Sequence, residues 1–258
     1  EKIQSADLII HLAGVNRPKN IQEFKKGNSD FTKLICDVLI QSKKNIPILF
    51  TSTAHINSLT IKSGTLLTSY VESKKQSENY IINYAKKTNA KVIIYRIPHL
   101  IGKWAKPNYN SVVTTFCYNI ARNKKINISN PQTVLEVIYI DDLIKKFTSA
   151  IPRNFKNQVN YIKLKSIPIT VSDLAAKIYK INSSIENLLS INLNTKLEKI
   201  LYSTFISYLP KNKIIQTLKT NNDSRGFFVE CFKSKTFGQI SYLSSKSNIT
   251  RGNHYHNY

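Results

Sequence analysis

Pro47-Ile48-Leu49-Phe50-Thr51-Ser52-Thr53 is a short apolar run that ends in three hydroxyl side chains, and it decides the fold predicted for this chain. A run of this length is typical of a strand buried inside a sheet. Residues 6–12 form a similar run that stops at Ala13-Gly14, and residues 91–96 form a third that Pro98 closes. Amphipathic stretches separate the runs. Strands that alternate with helices predict a doubly wound parallel α/β sheet.

The intervening stretches carry apolar residues at helical spacing, which predicts helices within residues 31–39, 70–86 and 110–122. A further strand at 137–140 runs into Asp141-Asp142. These carboxylates can be read as metal ligands or acid/base groups, but the first turn of a helix, whose dipole they stabilise, is the favoured interpretation. Thr170 and Ser172 are the alternative N-caps of a later helix.

The pattern changes beyond Pro210. Glycines there punctuate short alternating segments such as residues 227–230 and 239–243, which is typical of an all-β unit. We therefore expect two domains, at residues 1–210 and 211–258.

Composition narrows the function classes. A hydrophobic fraction of 41% in 258 residues fits a globular protein, and no apolar run approaches the length of a membrane span. The net charge of +23 comes from dispersed Lys and Arg rather than a basic block or a recognisable nucleic-acid motif. Three widely spaced cysteines favour a reducing compartment. We expect a cytoplasmic protein that binds neither nucleic acid nor membrane.

Tyr70 and Lys74 are four residues apart on a predicted helix, so both can face one cleft. An ammonium near a phenol favours the phenolate, which lowers the tyrosine pKa. Such a phenol can give a proton to a carbonyl oxygen or take one from a hydroxyl. Ser52 or Thr53, at the end of the preceding strand, can hold the same oxygen. The spacing alone is common in helices, and its position after a strand that ends in hydroxyls gives it weight.

His254 and His256 are two residues apart, so on a strand both can reach one metal ion. A pair at this spacing is also common on surface strands.

The chain resembles the extended short-chain dehydrogenase/reductases that act on nucleotide sugars. The matching segments are Asp7 to Gly14, Ser52-Thr53, Tyr70 to Lys74, Tyr95 to Pro98 and Tyr139 to Asp142. The resemblance implies a Rossmann-like fold, Tyr70 as proton donor, Lys74 on the nicotinamide ribose, and Thr53 on the sugar carbonyl with Ser52 beside it. The residues implied to line the cofactor cleft are Leu12, Ala13, Gly14, Tyr70, Lys74 and Pro98.

Gly14 to Pro18, Gly102-Lys103-Trp104, Lys106 to Ser111 and Ser207 to Pro210 resemble the CapF family of capsular polysaccharide enzymes. That family joins an NADPH-dependent 4-ketosugar reductase to a cupin that epimerises C3, and the resemblance implies a homodimer that acts on a UDP-4-keto-6-deoxy-HexNAc. The expected substrate contacts in the first domain are Asn16, Arg17, Lys103, Asn110 and Arg122.

Asp223 to Glu230 and Arg251 to His256 resemble sugar-nucleotide epimerase cupins. The resemblance implies substrate contacts at Arg225, Phe228, Glu230 and Arg251, and zinc on His254 and His256.

Several features depart from these families. Thr68-Ser69 and Val71 replace an Asn-Pro and a Gly around the tyrosine, and the sequence contains no glycine-rich phosphate loop. We therefore expect a chain truncated at both ends, with its first βαβ missing and only the start of a cupin barrel, that binds the cofactor poorly.

The alternatives are an NAD-dependent nucleotide-sugar epimerase or dehydratase and an inactive truncated product. Ala54-His55 stand where dehydratases usually carry Asp-Glu, which argues against dehydration.

Overall fold

The computed structural model describes residues 2–57, 65–150, 157–234, 238–250 and Gly252. Its central sheet has four strands in the order β1-β2-β3-β6, and every pairing is parallel. The strands are β1 (Ile9–His11), β2 (Ile48–Thr53), β3 (Val92–Ile97) and β6 (Val159–Ile162). The predicted α/β sheet is confirmed, and the carboxyl ends of its strands meet at one edge.

One face of this sheet is covered by a long helical segment and by α3 (Leu66–Thr88). The segment consists of α1 (Gln22–Phe24), a π-helical turn (Lys25–Asp30) and α2 (Phe31–Gln41). Their shared core contains Ile35, Leu39, Ile81, Tyr84, Ile48, Phe50, Val92 and Ile94. Phe31 and Leu34, on the predicted apolar face of α2, remain 41% and 58% exposed because α2 lies beside the edge strand β1.

The opposite face packs against α5 (Ile140–Ala150), where Leu143 and Ala150 meet Leu49, Ile93 and Tyr95. Asp141 and Asp142 lie in the first turn of α5, as predicted. Helices therefore cover both faces of the sheet, as a doubly wound fold requires.

A second, three-stranded sheet follows in the order β4-β5-β7. It is built from β4 (His99–Ile101), β5 (Val134–Tyr139) and β7 (Ile167–Thr170), and it packs on α4 (Val112–Ile120), α6 (Val171–Glu186) and α7 (Lys196–Ile206). Thr170 is the N-cap of α6 and accepts a hydrogen bond from the Asp173 amide. Thr195 and Glu198 form a capping box at the start of α7, which fixes its entry.

Beyond Pro210 the chain forms the helical turn α8 (Lys211–Ile214) and then an antiparallel sheet in the order β10-β9-β8. Its strands are β8 (Thr220–Asp223), β9 (Gly226–Ser234) and β10 (Gly238–Ser245). The all-β segment thus begins at Thr220 rather than directly after Pro210, because the residues after Pro210 form α8. Lys213 of α8 pairs with Glu186 of α6 at 2.7 Å. The domain boundary itself stays a prediction.

The last sheet is attached to the rest of the protein by main-chain hydrogen bonds around Lys233. The Ser190 amide donates to the Lys233 carbonyl at 2.8 Å, and the Lys233 amide donates to the Leu188 carbonyl at 2.9 Å. None of the described residues from 211 onward is buried. Within the described ranges, no helix has the length and apolar character needed to cross a membrane.

Candidate active site

A cleft of about 800 Å³ opens at the carboxyl end of the central sheet, where ligands of doubly wound folds bind. It is lined by the ends of β2 and β3, the start of α3 and the loops after β1 and β4. The residues expected at a site and found in its lining are Leu12, Gly14, Asn16, Arg17, Ser52, Thr53, Tyr70, Lys74, Pro98 and Asn110. The cleft therefore brings together most of the first domain's candidate residues.

Lys74 is buried at the back of this cleft. Its Nζ donates a hydrogen bond to the Thr51 carbonyl at 2.8 Å and lies 4.8 Å from the centre of the Phe50 ring. Burial lowers the pKa of Lys74 to about 8, although the nearby Glu78 carboxylate opposes that change. The Lys74 amine thus stays largely protonated at neutral pH, and it lines the cleft as a cation.

Tyr70 precedes Lys74 by one helical turn on α3 and packs its ring 5.6 Å from that of Phe24. Burial raises the pKa of Tyr70, which is opposite to the lowering expected from the sequence. Lys74 directs its ammonium to the Thr51 carbonyl. The phenol is therefore neutral at physiological pH.

The hydroxyls at the end of β2 differ in their partners. Ser52 is 5% exposed, and its Oγ has no hydrogen-bond partner among the described residues. Thr53 Oγ1 accepts a hydrogen bond from the His55 amide at 3.3 Å. A buried hydroxyl without a partner costs about 1–3 kcal/mol, so a ligand oxygen that meets Ser52 recovers that energy.

Asn28 is a site residue that the sequence did not reveal. It lies in the π-helical turn and is 2% exposed. Its Oδ1 accepts from the Val15 amide at 2.6 Å, while its Nδ2 donates to the Val15 carbonyl at 3.0 Å and to Ser73 Oγ at 2.9 Å. Asn28 thereby ties the loop after β1 to α3. An asparagine inside a helical pattern gives no signal of this role.

Gly14 shows how closely that loop approaches Asn28 and Lys74. A Cβ placed on Gly14 would lie 3.0 Å from Asn28 Oδ1 and 3.3 Å from Lys74 Nζ. Any side chain there would crowd the ammonium, so glycine keeps the space in front of Lys74 open.

Two histidines line the cleft as well. The rings of His55 and His99 are 5.6 Å apart and meet edge to face. His99 had no role in the sequence-based interpretation, because nothing local indicates that it meets His55.

Other expected residues lie outside this arrangement. Ala13 is exposed beside Gly14, and Lys103 is exposed in a surface turn. The Arg122 guanidinium donates to the Tyr208 carbonyl at 2.7 Å and stacks 3.7 Å over the Tyr118 ring, which places it in a packing role between α4 and the end of α7.

The candidate residues of the last sheet contact their own neighbours. Arg225 pairs with Asp223 at 2.8 Å in the β8–β9 turn, and Glu230 pairs with Lys233 at 2.9 Å. Phe228 is half-buried in β9. The remaining candidates, Arg251, His254 and His256, lie outside the described residues. Within the described part of the chain, no group of three or more His, Cys, Asp or Glu is arranged to hold a metal ion.

Comparison with known proteins agrees with this geometry. Residues 1–161 match the NAD dependent epimerase/dehydratase family, and residues 221–258 match the polysaccharide biosynthesis C-terminal domain. The UDP-2-acetamido-2,6-beta-L-arabino-hexul-4-ose reductase of Pseudomonas aeruginosa is 35% identical over 99% of this chain and 67% of its own length.

Among solved structures, the capsular polysaccharide assembling protein CapF from Staphylococcus aureus is 36% identical, with a TM-score of 0.81 over 98% of this chain. This chain spans 66% of that protein. The UDP-glucuronic acid 4-epimerase of Bacillus cereus, solved with NAD, shares the fold at 20% identity and a TM-score of 0.61, over 80% of this chain and 76% of its own. From the family match and the reductase relative, the chain belongs to the NAD dependent epimerase/dehydratase family.

Proposed function

We propose that this chain reduces the C4 keto group of a UDP-linked 4-keto-6-deoxy-HexNAc with NADPH, on a route to capsular polysaccharide. One observation carries the proposal: Tyr70, Lys74 and the unpartnered Ser52 hydroxyl line a single cleft. The similarity to a UDP-sugar 4-ulose reductase supports the choice of substrate.

In this proposal each side chain has one task. Tyr70 donates its phenolic proton to the carbonyl oxygen, which suits a phenol that is neutral before reaction. Ser52 and Thr53 donate hydrogen bonds to the same oxygen and so orient the sugar. Lys74 holds a ribose hydroxyl of the cofactor with its ammonium. A reduced nicotinamide, when bound, supplies hydride to the carbonyl carbon.

The residues present fit the nicotinamide-ribose end of such a cofactor. Gly14 leaves the approach to Lys74 Nζ open, and Ser52 offers a hydroxyl without a partner. The sequence holds no glycine-rich loop for the pyrophosphate. The ammonium of Lys74 and the loop after β1 are the contacts that the described residues offer to that end of the cofactor.

The last sheet belongs to the same proposal as part of a C3-epimerase cupin, with zinc on His254 and His256, in a cytoplasmic homodimer. The match to the polysaccharide biosynthesis C-terminal domain supports this part. Metal analysis of the purified protein tests it: zinc that is lost from a His254→Ala, His256→Ala variant supports the assignment, and equal zinc in both contradicts it.

The reductase proposal is tested by mixing the protein, NADPH and the UDP-4-keto sugar and following nicotinamide absorbance, with product identity from mass spectrometry. We expect cofactor oxidation and a sugar that has gained two hydrogen atoms. Tyr70→Phe should abolish both. No oxidation by the wild type, or an equal rate in Tyr70→Phe, would overturn the reductase assignment; interconversion of sugars without net oxidation would favour an epimerase.

A further inference from the structure

The two cleft histidines occupy corresponding places just beyond the ends of the neighbouring strands β2 and β3. Thr53 of β2 pairs with Ile97 of β3 as the last residues of the parallel register. His55 and His99 each follow that pair by two residues. Both imidazoles therefore meet just beyond the carboxyl edge of the sheet, with ring centres 5.6 Å apart. They lie on the same wall as the Thr53 hydroxyl.

The backbone on each side is firmly held. The His55 amide donates to Thr53 Oγ1, and Arg96 Nη1 donates to Asn57 Oδ1 at 3.0 Å, so the turn that carries His55 is fixed at both ends. Arg96 is itself clamped by Glu78 through two hydrogen bonds of 3.0 and 2.7 Å. His99 begins β4 and pairs in register with Val137 of β5. An imidazole pair on such supports is preorganised for proton transfer.

The protonation state of His99 is suited to accepting a proton. Burial, and then the proximity of His55, lowers the pKa of His99. At neutral pH a His99 ring is thus uncharged, with one nitrogen free to act as a base. In the proposed reduction Tyr70 donates the proton to the carbonyl oxygen, so the two imidazoles have no role in that reaction.

We propose that His55 and His99 form a second proton-transfer centre, which removes a proton from a carbon next to the keto carbonyl of the bound sugar. This inference rests on the proposed function, since it requires a keto sugar in the cleft. The imidazole takes the proton, the C–H electron pair forms a carbon–carbon double bond, and the carbonyl oxygen takes the Tyr70 proton to give an enol. Reversal restores the ketone, so nothing is oxidised or reduced.

The consequence is that the cleft exchanges carbon-bound hydrogen of the keto sugar with solvent without any nicotinamide cofactor. Epimerisation of a sugar at the carbon next to a carbonyl begins with the same enolisation step. The first domain would thereby have an activity separate from carbonyl reduction.

The test incubates the full chain, carrying His254→Ala and His256→Ala so that the proposed C3-epimerase segment contributes no exchange, with the UDP-4-keto sugar in D₂O without NADPH and follows deuterium incorporation by NMR and mass spectrometry. We expect incorporation above the rate of the sugar alone. His55→Gln and His99→Gln, which keep a hydrogen-bonding side chain but cannot carry the proton, should each slow it by at least about 100-fold, the lower range for acid–base catalysis. Tyr242→Phe, an exposed change in β10, is the matched control.

Sugar affinity, measured by titration calorimetry, separates catalysis from binding. The proposal is supported if the His55→Gln and His99→Gln variants lose deuterium incorporation but keep their affinity for the sugar, and if they unfold at the wild-type temperature. Equal incorporation in wild type and both variants, or an equal loss of incorporation and affinity, overturns it. A wild type that reduces the sugar but shows no exchange overturns this inference alone, whereas one that neither binds nor reduces the sugar overturns the proposed function with it.

Discussion

The central α/β region and the β8–β10 sheet hold their candidate residues in opposite ways. Around the cleft, Lys74 is 5% exposed and Ser52 is 5% exposed, and both sit on strands and helices with a shared apolar core. In the last sheet, Ile240 is 67% and Tyr242 60% exposed, and the charged candidates pair with residues of the same sheet. Both regions contain regular strands, but among the described residues only the central region has buried residues beneath its strands.

A functional site needs a buried layer beneath its strands as well as suitable side chains. A sheet becomes rigid when one of its faces is buried against another layer. The first region meets that condition and presents a formed cleft. The last sheet is secured to it mainly at Leu188, Ser190 and Lys233, so its residues are expected to gain their functional arrangement only with further packing.

The sharpest test of this comparison replaces one tyrosine in each region. Tyr70→Phe should lower the reduction rate about 100- to 10,000-fold because it removes the proton donor. Tyr242→Phe, which removes the same hydroxyl from the exposed face of β10, should leave the rate unchanged. Steady-state NADPH oxidation measures both, and equal rates in the two variants would contradict the assignment of the cleft.

Matched isoleucines test the packing itself. Ile94 in β3 is fully buried, so Ile94→Ala should lower the free energy of unfolding by about 2–5 kcal/mol. Ile240→Ala, at an exposed position, should change it by no more than about 0.5 kcal/mol. Urea unfolding measures the free energy of unfolding of the two variants. A comparable decrease in both would show that β10 is packed as tightly as β3.

Two ion pairs offer a third comparison. Glu78 is 3% exposed and accepts a bidentate hydrogen bond from Arg96. Glu78→Gln should therefore cost about 3 kcal/mol, because it removes the charge from the buried partner of the half-exposed guanidinium. Asp223→Asn, which breaks the exposed pair with Arg225, should cost less than about 1 kcal/mol. Thermal unfolding of both variants should show a clearly larger shift for Glu78→Gln.

The last effect expected is a gain in stability. Burial lowers the pKa of Lys74 from 10.5 to about 8, so below pH 8 the folded protein carries a charge that costs up to about 3 kcal/mol. Lys74→Met should raise the free energy of unfolding by about 1–3 kcal/mol at neutral pH, since the lost bond to Thr51 offsets part of the gain.

The gain should shrink as the pH rises from about 8 toward 10.5, because the unfolded wild type then also loses its proton. Urea unfolding at several pH values, with NADPH oxidation as a second measurement, should show a protein that is more stable and less active. A loss of stability at neutral pH, or a gain that grows with pH, would contradict the burial argument.

The sequence predicted the elements whose periodicity extends over a full buried face. The helix predicted at residues 70–86 is α3 at Leu66–Thr88, and the strand predicted at 91–96 is β3 at Val92–Ile97. The three- and four-residue strands β4, β6 and β7 were not predicted, because so short a segment has no measurable period. Residues 6–12 shortened to Ile9–His11, since β1 has a strand neighbour on one side only among the described residues.

The sequence predicted those parts of the candidate site whose residues are close together in the chain or end a predicted strand. Tyr70 and Lys74 are one helical turn apart, and Ser52 and Thr53 end a strand. The sequence therefore indicates that these four residues can line one cleft. Asn28 and His99 depend on tertiary contacts, with Val15 and His55 respectively, that no local pattern encodes. The pKa of Tyr70 was expected in the wrong direction because the sequence does not show where the Lys74 ammonium points.

The π-helical turn at Lys25–Asp30 makes the cleft sensitive to the length of the chain as well as to its composition. A π turn holds one residue more than an α turn, and each residue of an α-helix advances the side chains by about 100°. Deleting a single residue from this turn would leave a regular helix but rotate Asn28 away from Val15 and Ser73. Among natural relatives, a one-residue gap at this place would therefore mark chains that support the loop after β1 by other means.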